Sequence, residues 1–524
     1  MNKTPITSSR RLIYNTISNI ITLVCNVAVG FILIRFLLGH LGEKGYGIWV
    51  LIGSIFNYKA MLTLGLNSAI DRYLPVSLAK DDYNGVQRIL STTLSFYMIL
   101  AIIVLIATAV IYYNISSWFI IDEDLVTSAR MLVLVVGICG FFSMPLQLFG
   151  AVLAGVQRYD LMNMGALVSL FVRVVLLVVL VLCGYGLITV GLVFGITEIM
   201  AAVIQSVSAH KLLPQSLISF KQSDFRLFRE MLYYGVNAFL YATGALIICK
   251  VSDILIGILI GISEISQFAI ASTGALLIVQ TVQAFTVAIR PAVSDLDTRG
   301  DRPRILQISL LTQKYSLLLI IPAGFFLVCM GREFLWVWVG DKFRDPAVID
   351  KMSTILTILV IGHCIRVAQY SNFLVLAGRG EHRLFGIFSI LTALLCVLCS
   401  VISVKIYNLG LLGIAWSNLL PMALISGLIL PIYYNWKMKI SFMDDIKHVW
   451  YPALLGTAPA IIIMIVWKHI SAPGTWFHIF AVVIVVALIT LISSWFLSFT
   501  KLERKRFSGV LITKWRRNQQ PATL

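Results

Sequence analysis

The sequence predicts an all-α polytopic membrane protein with about 14 transmembrane helices, and three observations lead to this prediction. Of the 524 residues, 59% are hydrophobic and only 12% are charged, whereas soluble domains average roughly 25% charged residues. Apolar runs of about 20 residues, the length that crosses a bilayer, repeat from residue 11 to residue 500. Lys and Arg gather in every second gap between these runs, as expected for loops that alternate between the two sides of a membrane.

The gaps between the apolar runs are mostly short, and none is long enough to hold a soluble domain. We therefore predict a single helical membrane domain. The first run follows Arg10 and Arg11 and is too long for a signal peptide, so it is interpreted as the first span. The predicted spans are residues 12–38, 46–68, 87–113, 130–154, 161–183, 187–208, 230–255, 264–288, 307–330, 352–377, 384–406, 411–433, 450–468 and 477–499.

The distribution of positive charge predicts that both termini lie on the cytoplasmic side. With the N-terminus inside, the inner segments and the tail contain 28 Lys and Arg residues and the outer segments contain 8. This bias follows the positive-inside rule and requires an even number of spans. It also explains the net charge of +17 without a nucleic-acid partner. The basic tail either lies on the inner leaflet as an amphipathic helix or is a partly disordered flank.

An internal repeat predicts how the spans are grouped. Gly42 lies 27 residues before Ala69-Ile70, and Gly261 lies 27 residues before Ala288-Ile289, with an offset of 219 residues between the pairs. Together with an even number of helices per half, this predicts two parallel six-helix lobes around a central cavity, plus two C-terminal helices. The predicted divisions are an N-lobe at 1–210, a C-lobe at 211–435, spans 13 and 14 at 436–500 and a basic cytoplasmic tail at 501–524.

Five cations remain inside the predicted spans once the Lys and Arg residues assigned to the inner segments, the outer segments and the tail are set aside. Insertion of a charged side chain at such a depth costs at least about 2.5–3.5 kcal/mol. A cation inside a span is therefore expected to have a function or a partner. The functional interpretation is a cationic cavity for an anionic head group, because Arg and Lys make charge-assisted hydrogen bonds to phosphate. The alternative is pairing or snorkelling: Lys250 and Asp253 are i, i+3 neighbours, and Arg35 lies near an outer end. The five residues are Arg35, Lys59, Arg173, Lys250 and Arg366.

The acids inside the spans are Glu198 and Asp253, with Glu264 at an outer span end. Glu198 and Asp253 are candidates for coupling to a proton or sodium ion. The alternative for Glu198 is a pair with Arg173 across the fifth and sixth spans. Cys396-x-x-Cys399 lies in an apolar run with no nearby His cluster, so we predict neither a metal site nor a structural disulfide. The sequence contains no P-loop, and we predict no cofactor.

Several motifs, taken in order, resemble one known family. Residues 37–49 (LLGHLGEKGYGIW) and 64–73 (LGLNSAIDRY) resemble the first helix pair of bacterial polysaccharide flippases. Residues 154–159 (AGVQRY) resemble the loop after span four of that family, and residues 252–257 and 332–340 also fit it. These flippases belong to the multidrug, oligosaccharidyl-lipid and polysaccharide exporter superfamily. The resemblance covers most of the first twelve spans.

The resemblance implies a flippase rather than an enzyme. It would move undecaprenyl-pyrophosphate-linked oligosaccharide repeat units from the inner to the outer leaflet by alternating access, for cell-surface polysaccharide such as O-antigen, capsule or exopolysaccharide. The implied location is the bacterial cytoplasmic (inner) membrane. The implied partners are the lipid-linked oligosaccharide, membrane lipid and, as a further candidate, a polysaccharide polymerase.

Three other functions are considered. An ion-coupled multidrug or small-molecule exporter of the same superfamily would more often have acids in its cavity. A polymerase or ligase would need catalytic groups in an outer loop, and the outer loops here are short. A helical scaffold would leave five cations for only a few acids inside the spans. These comparisons favour the flippase.

Overall fold

The structure is a computed structural model that describes residues 8–63, 65–214, 218–286, 289–343, 345–381, 383–470 and 474–505. Across these ranges the regular structure is helical and no strand is present, which confirms the predicted all-α fold class. The helices are α1 (Ser8–Asn57), α2 (Lys59–Leu62), α3 (Leu66–Ala79), α4 (Tyr83–Trp118), α5 (Glu123–Gly155), α6 (Tyr159–Leu182), α7 (Leu187–Leu212), α8 (Phe225–Leu259), α9 (Ile262–Thr286), α10 (Ile289–Thr298), α11 (Arg302–Val339), α12 (Pro346–Ala368), α13 (Tyr370–Gly378), α14 (Arg383–Lys405), α15 (Gly410–Leu424), α16 (Leu430–Met438), α17 (Phe442–Asp445), α18 (Tyr451–Ile470) and α19 (Trp476–Ser493).

Within the described ranges, thirteen helical segments are long and apolar enough to cross a membrane. The first of them, Ile17–Leu62, has 46 residues. As a straight helix it would be about 70 Å long, more than twice the hydrocarbon thickness of a bilayer. It is interrupted at Gly42, where the backbone (φ 70°, ψ 176°) is not helical. A left-handed φ of this kind favours glycine, which has no Cβ.

Contacts with α5 show that this first segment doubles back. Before Gly42, Asn15 donates a hydrogen bond of 3.1 Å to the carbonyl of Gln157, just after α5 ends. Just after Gly42, Lys44 lies 2.8 Å from Asp122, just before α5 begins. Helix α3, which follows, packs against Gly155 at the far end of α5 again. The first segment therefore crosses twice, and the described residues contain the fourteen crossings that the sequence predicts.

The second glycine of the repeat also lies at a break between two helices. Gly261 separates α8 from α9 and has a φ of 156°. Of the matching Ala-Ile pairs, Ala69 and Ile70 lie in α3, and Ile289 begins α10. Ala288 lies outside the described residues.

The chain packs into two compact units. The first comprises Met1–Ile270 with His382–Asn418, and the second comprises Ala271–Glu381 with Leu419–Leu524. In the first unit, α8 packs along α14, and α5 packs against α4 and α7. This grouping follows packing rather than chain order, and the lobe boundaries predicted from the sequence stay a prediction.

In the second unit, α11 packs against α12 and α18. Its backbone is kinked at Met330, which lies in a buried apolar cluster with residues of α18 and α19. After α19 and a π-helical turn at Ser494–Ser498, a short helical stretch runs to residue 505. There Glu503 forms a buried ion pair of 2.6 Å with Lys314 of α11. The predicted basic tail beyond residue 505 lies outside the described residues.

Candidate substrate-binding site

Four of the five predicted cations lie in the first unit and one lies in the second. Arg35 is half-buried in α1, seven residues before Gly42. Lys59 begins α2, Arg173 lies in α6 and Lys250 lies in α8. Arg366 is in the last turn of α12, in the second unit.

Lys59 is held at the junction of three helices of the first unit. Helix α1 ends at Asn57, and Lys59 starts the short helix α2. Its Nζ lies 2.5 Å from Oε1 of Glu198 on α7 and donates a longer hydrogen bond of 3.4 Å to Ser143 on α5. The Lys59 side chain is 17% exposed and that of Glu198 is 43% exposed.

Arg173 of α6 contacts the face of α7 that carries Glu198. Its Nε donates a hydrogen bond of 2.9 Å to Oγ1 of Thr197, and its guanidinium carbon is 4.5 Å from the ring centre of Phe194. Phe194, Thr197 and Glu198 are i, i+3 and i+4 neighbours and therefore share one face of α7. In the part of the chain that the structure describes, the two Nη atoms of Arg173 make no hydrogen bond.

The depth of this cluster is near the middle of the spans. At 1.5 Å per residue, Arg173 lies about 21 Å from the start of α6 and about 14 Å from its end. Glu198 has a similarly central position in α7. We name the group Lys59, Ser143, Arg173, Phe194, Thr197 and Glu198 the α7 cluster. It holds two cations and one carboxylate, so its formal net charge is positive, and its cations can make charge-assisted hydrogen bonds to an anionic group.

The ion pair of Glu198 differs from the alternative considered from the sequence. Glu198 contacts Lys59, not Arg173, which instead uses Thr197 and the Phe194 ring. Ser143, Phe194 and Thr197 were not among the residues predicted from the sequence. The spacing of the last two with Glu198 on one helix face is the signal that was available for them.

Lys250 and Asp253 form the second polar group of the first unit. Their side chains are 4.0 Å apart as i, i+3 neighbours on α8, and Asp253 is 5% exposed. Ser54 of α1 donates a hydrogen bond of 2.6 Å to the same oxygen of Asp253. Ser54 and Lys59 follow each other closely in the chain after Gly42, so the second span makes polar contacts with α8 and with α7.

Arg366 belongs to a polar stretch at a helix break in the second unit. Helix α12 ends at Ala368, and α13 begins at Tyr370. His363, one turn before Arg366, is 3% exposed, and its Nδ1 has no hydrogen-bond partner among the described residues. Asn372 donates a hydrogen bond of 2.9 Å to Gln369 across the break. Broken helices of this kind line binding sites in transporters.

Metal-binding geometry was also considered. In the described ranges, no group of three or more His, Cys, Asp or Glu side chains is placed to hold a metal ion. All eight cysteines are free thiols, including Cys396 and Cys399.

Comparison with known proteins decides the family. Residues 32–348 match the model of a family described as "Polysaccharide biosynthesis protein". The match covers more than half of the chain. The chain belongs to the polysaccharide biosynthesis protein family. The region matched runs from the first span, just before Arg35, to the start of α12, and it therefore includes the whole α7 cluster.

A curated relative of this polysaccharide biosynthesis protein is the "Uncharacterized membrane protein EpsK" of Bacillus subtilis (strain 168). It is 20% identical over 502 residues, which cover 94% of this chain and 96% of the relative. The fold is shared with solved transporters. A structure of the lipid II flippase MurJ in an inward closed conformation aligns with a TM-score of 0.70 and 15% identity, over 92% of this chain and 98% of that chain.

A multidrug resistance MATE family transporter of the MOP superfamily, in an inward-facing conformation, aligns with a TM-score of 0.66 and 13% identity. The alignment covers 80% of this chain and 94% of that chain. At these identities the likeness establishes the fold alone. This polysaccharide biosynthesis protein is therefore a multi-pass membrane protein with the fold of MOP superfamily transporters.

Proposed function

We propose that the protein is a flippase that moves undecaprenyl-pyrophosphate-linked oligosaccharide repeat units from the inner to the outer leaflet of a bacterial cytoplasmic membrane. The observation that carries the proposal is the α7 cluster, a half-buried polar group at mid-depth in a chain of a polysaccharide biosynthesis family. A polysaccharide biosynthesis family and the fold of transporters together support the transport of a sugar-containing substrate across the bilayer. A diphosphate with its glycan cannot cross hydrocarbon unaided, because burying unpaired charge is very costly.

The α7 cluster would bind the diphosphate. Lys59 supplies a compact ammonium group, and Arg173 supplies a planar guanidinium group that can donate hydrogen bonds to two phosphate oxygens at once. The Nη atoms of Arg173, which make no hydrogen bond among the described residues, are the donors available for this contact. The prenyl chain would remain in the bilayer while the polar head moves by alternating access. That Arg35, Lys250 and Arg366 also bind substrate stays a prediction.

The proposed orientation has both termini in the cytoplasm. The support is the 28-to-8 distribution of Lys and Arg in the sequence together with an even number of crossings. A polysaccharide polymerase is the proposed protein partner, since the repeat units would be polymerised after translocation.

The proposal is tested by reconstituting the purified protein in liposomes that contain a fluorescent polyprenyl-diphosphate-linked sugar. Wild-type protein is expected to expose the sugar to an external quencher or enzyme, and a triple variant with Lys59→Gln, Arg173→Gln and Arg366→Gln is expected to lose this activity. Intact flipping by a normally folded triple variant would contradict the proposal. Lys80→Gln, at the exposed end of α3, is the matched control and should flip as wild type does.

An ion-coupled exporter of organic cations is the second candidate. The observation that favours it is Glu198, an acid with an exposed fraction of 43% at mid-depth. In the same liposomes, proton- or sodium-driven uptake of an organic cation without flipping of the lipid-linked sugar would favour this function over the flippase.

A further inference from the structure

The α7 cluster contains one carboxylate, that of Glu198, and two cations. Glu198 contacts Lys59 directly at 2.5 Å. It also faces Arg173 of α6, which is held one turn away on α7 by Thr197 and Phe194. From α5, the neighbours are Cys139 and Ser143. Among the described residues, Glu198 is the one acid that contacts Lys59, and no acid forms an ion pair with Arg173.

We propose that Glu198 is an internal counter-ion, which occupies Lys59 while the transporter is empty and must release it before an anionic head group binds. The inference rests on the proposed function, because it takes a diphosphate as the ligand. It assigns to Glu198 a regulatory contact with the binding cations, in place of direct contact with substrate.

The charges of the cluster require this competition. Two cations and one carboxylate leave a single net positive charge, which neutralises only half of a dianionic diphosphate. A diphosphate bound to Lys59 while Glu198 stays ionised would bring like charges within a few ångströms, and like charges at such distances disfavour each other's charged form. Binding is therefore favoured when Glu198 either takes up a proton or turns away into water.

The exposure of Glu198 allows it either to take up a proton or to move its carboxylate into water. Its side chain is 43% exposed, whereas that of its partner Lys59 is only 17% exposed. An ionised carboxylate at this depth is not stable against lipid, so its exposed surface must face water. Water at this surface supplies a path for a proton and a place for the carboxylate after it leaves Lys59.

The proposal sets the sign of a linkage between protons and substrate. If Glu198 is protonated when the diphosphate binds, the proton and the diphosphate each promote the binding of the other, because coupling free energies are reciprocal. Diphosphate affinity then rises as the pH falls, by up to about tenfold per pH unit for one linked proton. A proton that stays on Glu198 during transport would move outward with the head group. An inward proton gradient would then oppose export through this residue.

The experiment measures binding of a water-soluble, radiolabelled geranyl-diphospho-N-acetylglucosamine to the purified full-length protein, from mildly acidic to neutral pH. Both phosphates of this probe are esterified and keep one charge each throughout, so the probe itself does not titrate. Wild-type affinity is expected to rise as the pH falls. Glu198→Gln is expected to bind about tenfold more tightly than wild type at neutral pH, with little dependence on pH.

Glu264→Gln is the matched control, since it removes one carboxylate from the first turn of α9. It should keep the wild-type affinity and pH dependence. If Glu198→Gln does not fold, Glu198→Asp keeps the charge but shortens the side chain by one methylene. It is expected to bind the probe more tightly than wild type and to retain the pH dependence, and an unchanged affinity would overturn the inference.

The outcomes separate the inference from the proposed function. If Glu198→Gln binds the probe no more tightly than wild type, and wild-type binding still requires Lys59 and Arg173, the counter-ion role is wrong and the flippase stands. If no variant binds the probe at any pH, the diphosphate substrate is wrong, and the inference falls with it.

Discussion

At the scale of single residues, charges inside the spans are placed against specific partners. Asp253 is almost fully buried and accepts a hydrogen bond from Ser54, with Lys250 one turn away on the same helix. Lys59 contacts Glu198. Such pairing is expected because an isolated charge in hydrocarbon costs several kcal/mol. The two carboxylates differ in exposure, since the Asp253 side chain is 5% exposed and that of Glu198 is 43% exposed. Ion coupling at Asp253 stays a prediction.

Asp224, before the start of α8, allows a test of pH dependence. Its carboxylate accepts hydrogen bonds from the Arg88 guanidinium and from the backbone amides of Arg226 and Leu227. The hydrogen bond from Arg88 and then those from the two amides lower the pKa of Asp224 from its ordinary value. A lowered pKa in the folded state means that the stabilisation is present above the unfolded-state pKa and is lost as the pH falls through the folded-state pKa.

We therefore expect Asp224→Asn to lower the thermal midpoint at neutral pH, and the difference from wild type to shrink below about pH 4, where the unfolded carboxyl takes up its proton. The asparagine keeps an acceptor for the helix cap but loses the ion pair. Asp345→Asn, which alters a cap that has no ion pair among the described residues, is the control. A difference that stays constant with pH would argue against the ion pair as its source.

At the scale of helices, the turn at Gly42 determines how many times the chain crosses the membrane. Its φ of 70° and ψ of 176° lie in a region that is essentially restricted to glycine. A Cβ at this position would meet no atom within 4 Å, so backbone strain alone opposes substitution. Lys44 then reaches Asp122 at the start of α5, which closes the turn.

Gly42→Ala is expected to destabilise the protein by about 1–3 kcal/mol through this backbone strain. Gly30→Ala is the matched control, because Gly30 lies in the helical part of α1 and a methyl group added there would also meet no atom within 4 Å. The control should be neutral or slightly stabilising. Thermal midpoints of the purified variants in detergent measure both changes, and equal midpoints would show that the turn is not strained by alanine.

The buried pair between Lys314 and Glu503 attaches the stretch after α19 to α11. The two side chains are 3% and 7% exposed. Glu503 also accepts hydrogen bonds of 2.9 Å from the Tyr315 hydroxyl and 2.6 Å from the Thr500 amide. The pattern Thr-x-x-Glu, in which the Glu503 amide donates a hydrogen bond to the Thr500 hydroxyl, forms a capping box.

Glu503→Gln is expected to destabilise the protein by about 3–5 kcal/mol, because it leaves the Lys314 ammonium buried without a counter-charge. The double variant Lys314→Met with Glu503→Gln should recover most of this loss, since no buried charge remains and glutamine can still accept the hydrogen bonds. Denaturation midpoints of the three proteins test this. If the double variant were as unstable as the single one, a buried charge would not be the cause.

At the scale of the whole molecule, the driving force for the proposed export is electrical. An interior-negative potential favours outward movement of negative charge by about 2.3 kcal/mol per charge per 100 mV. For a diphosphate with two charges, about twice this energy is available if both charges cross the full field and no proton accompanies them. The sign agrees with the linkage argued for Glu198, in which an inward proton gradient does not assist export.

We expect flipping in liposomes to accelerate when an interior-negative potential is imposed with a potassium gradient and valinomycin. An inward proton gradient at zero potential should not accelerate it. A lipid-linked sugar without phosphate charge is the control substrate and should not respond to the potential. Flipping that follows the proton gradient but ignores the potential would refute this driving force.

The fold class, the number of spans and five of the cations inside them could be predicted from the sequence alone. These properties depend on hydrophobic length and on charge counts along the chain, which are local quantities. Lys314, which was not among those five, is also buried within α11. The two glycines of the repeat, Gly42 and Gly261, lie in predicted gaps between spans, and both have a positive φ in the structure.

The partner that each charge takes became clear only from the tertiary structure. Lys59 and Glu198 are 139 residues apart in the chain, and Ser54 and Asp253 are 199 apart. Sequence spacing predicted the Lys250–Asp253 pair, because i, i+3 neighbours meet on one helix. It did not choose between Lys59 and Arg173 as the partner of Glu198. That choice depends on how α2, α6 and α7 pack, and packing between distant helices is not encoded by the spacing within any one of them.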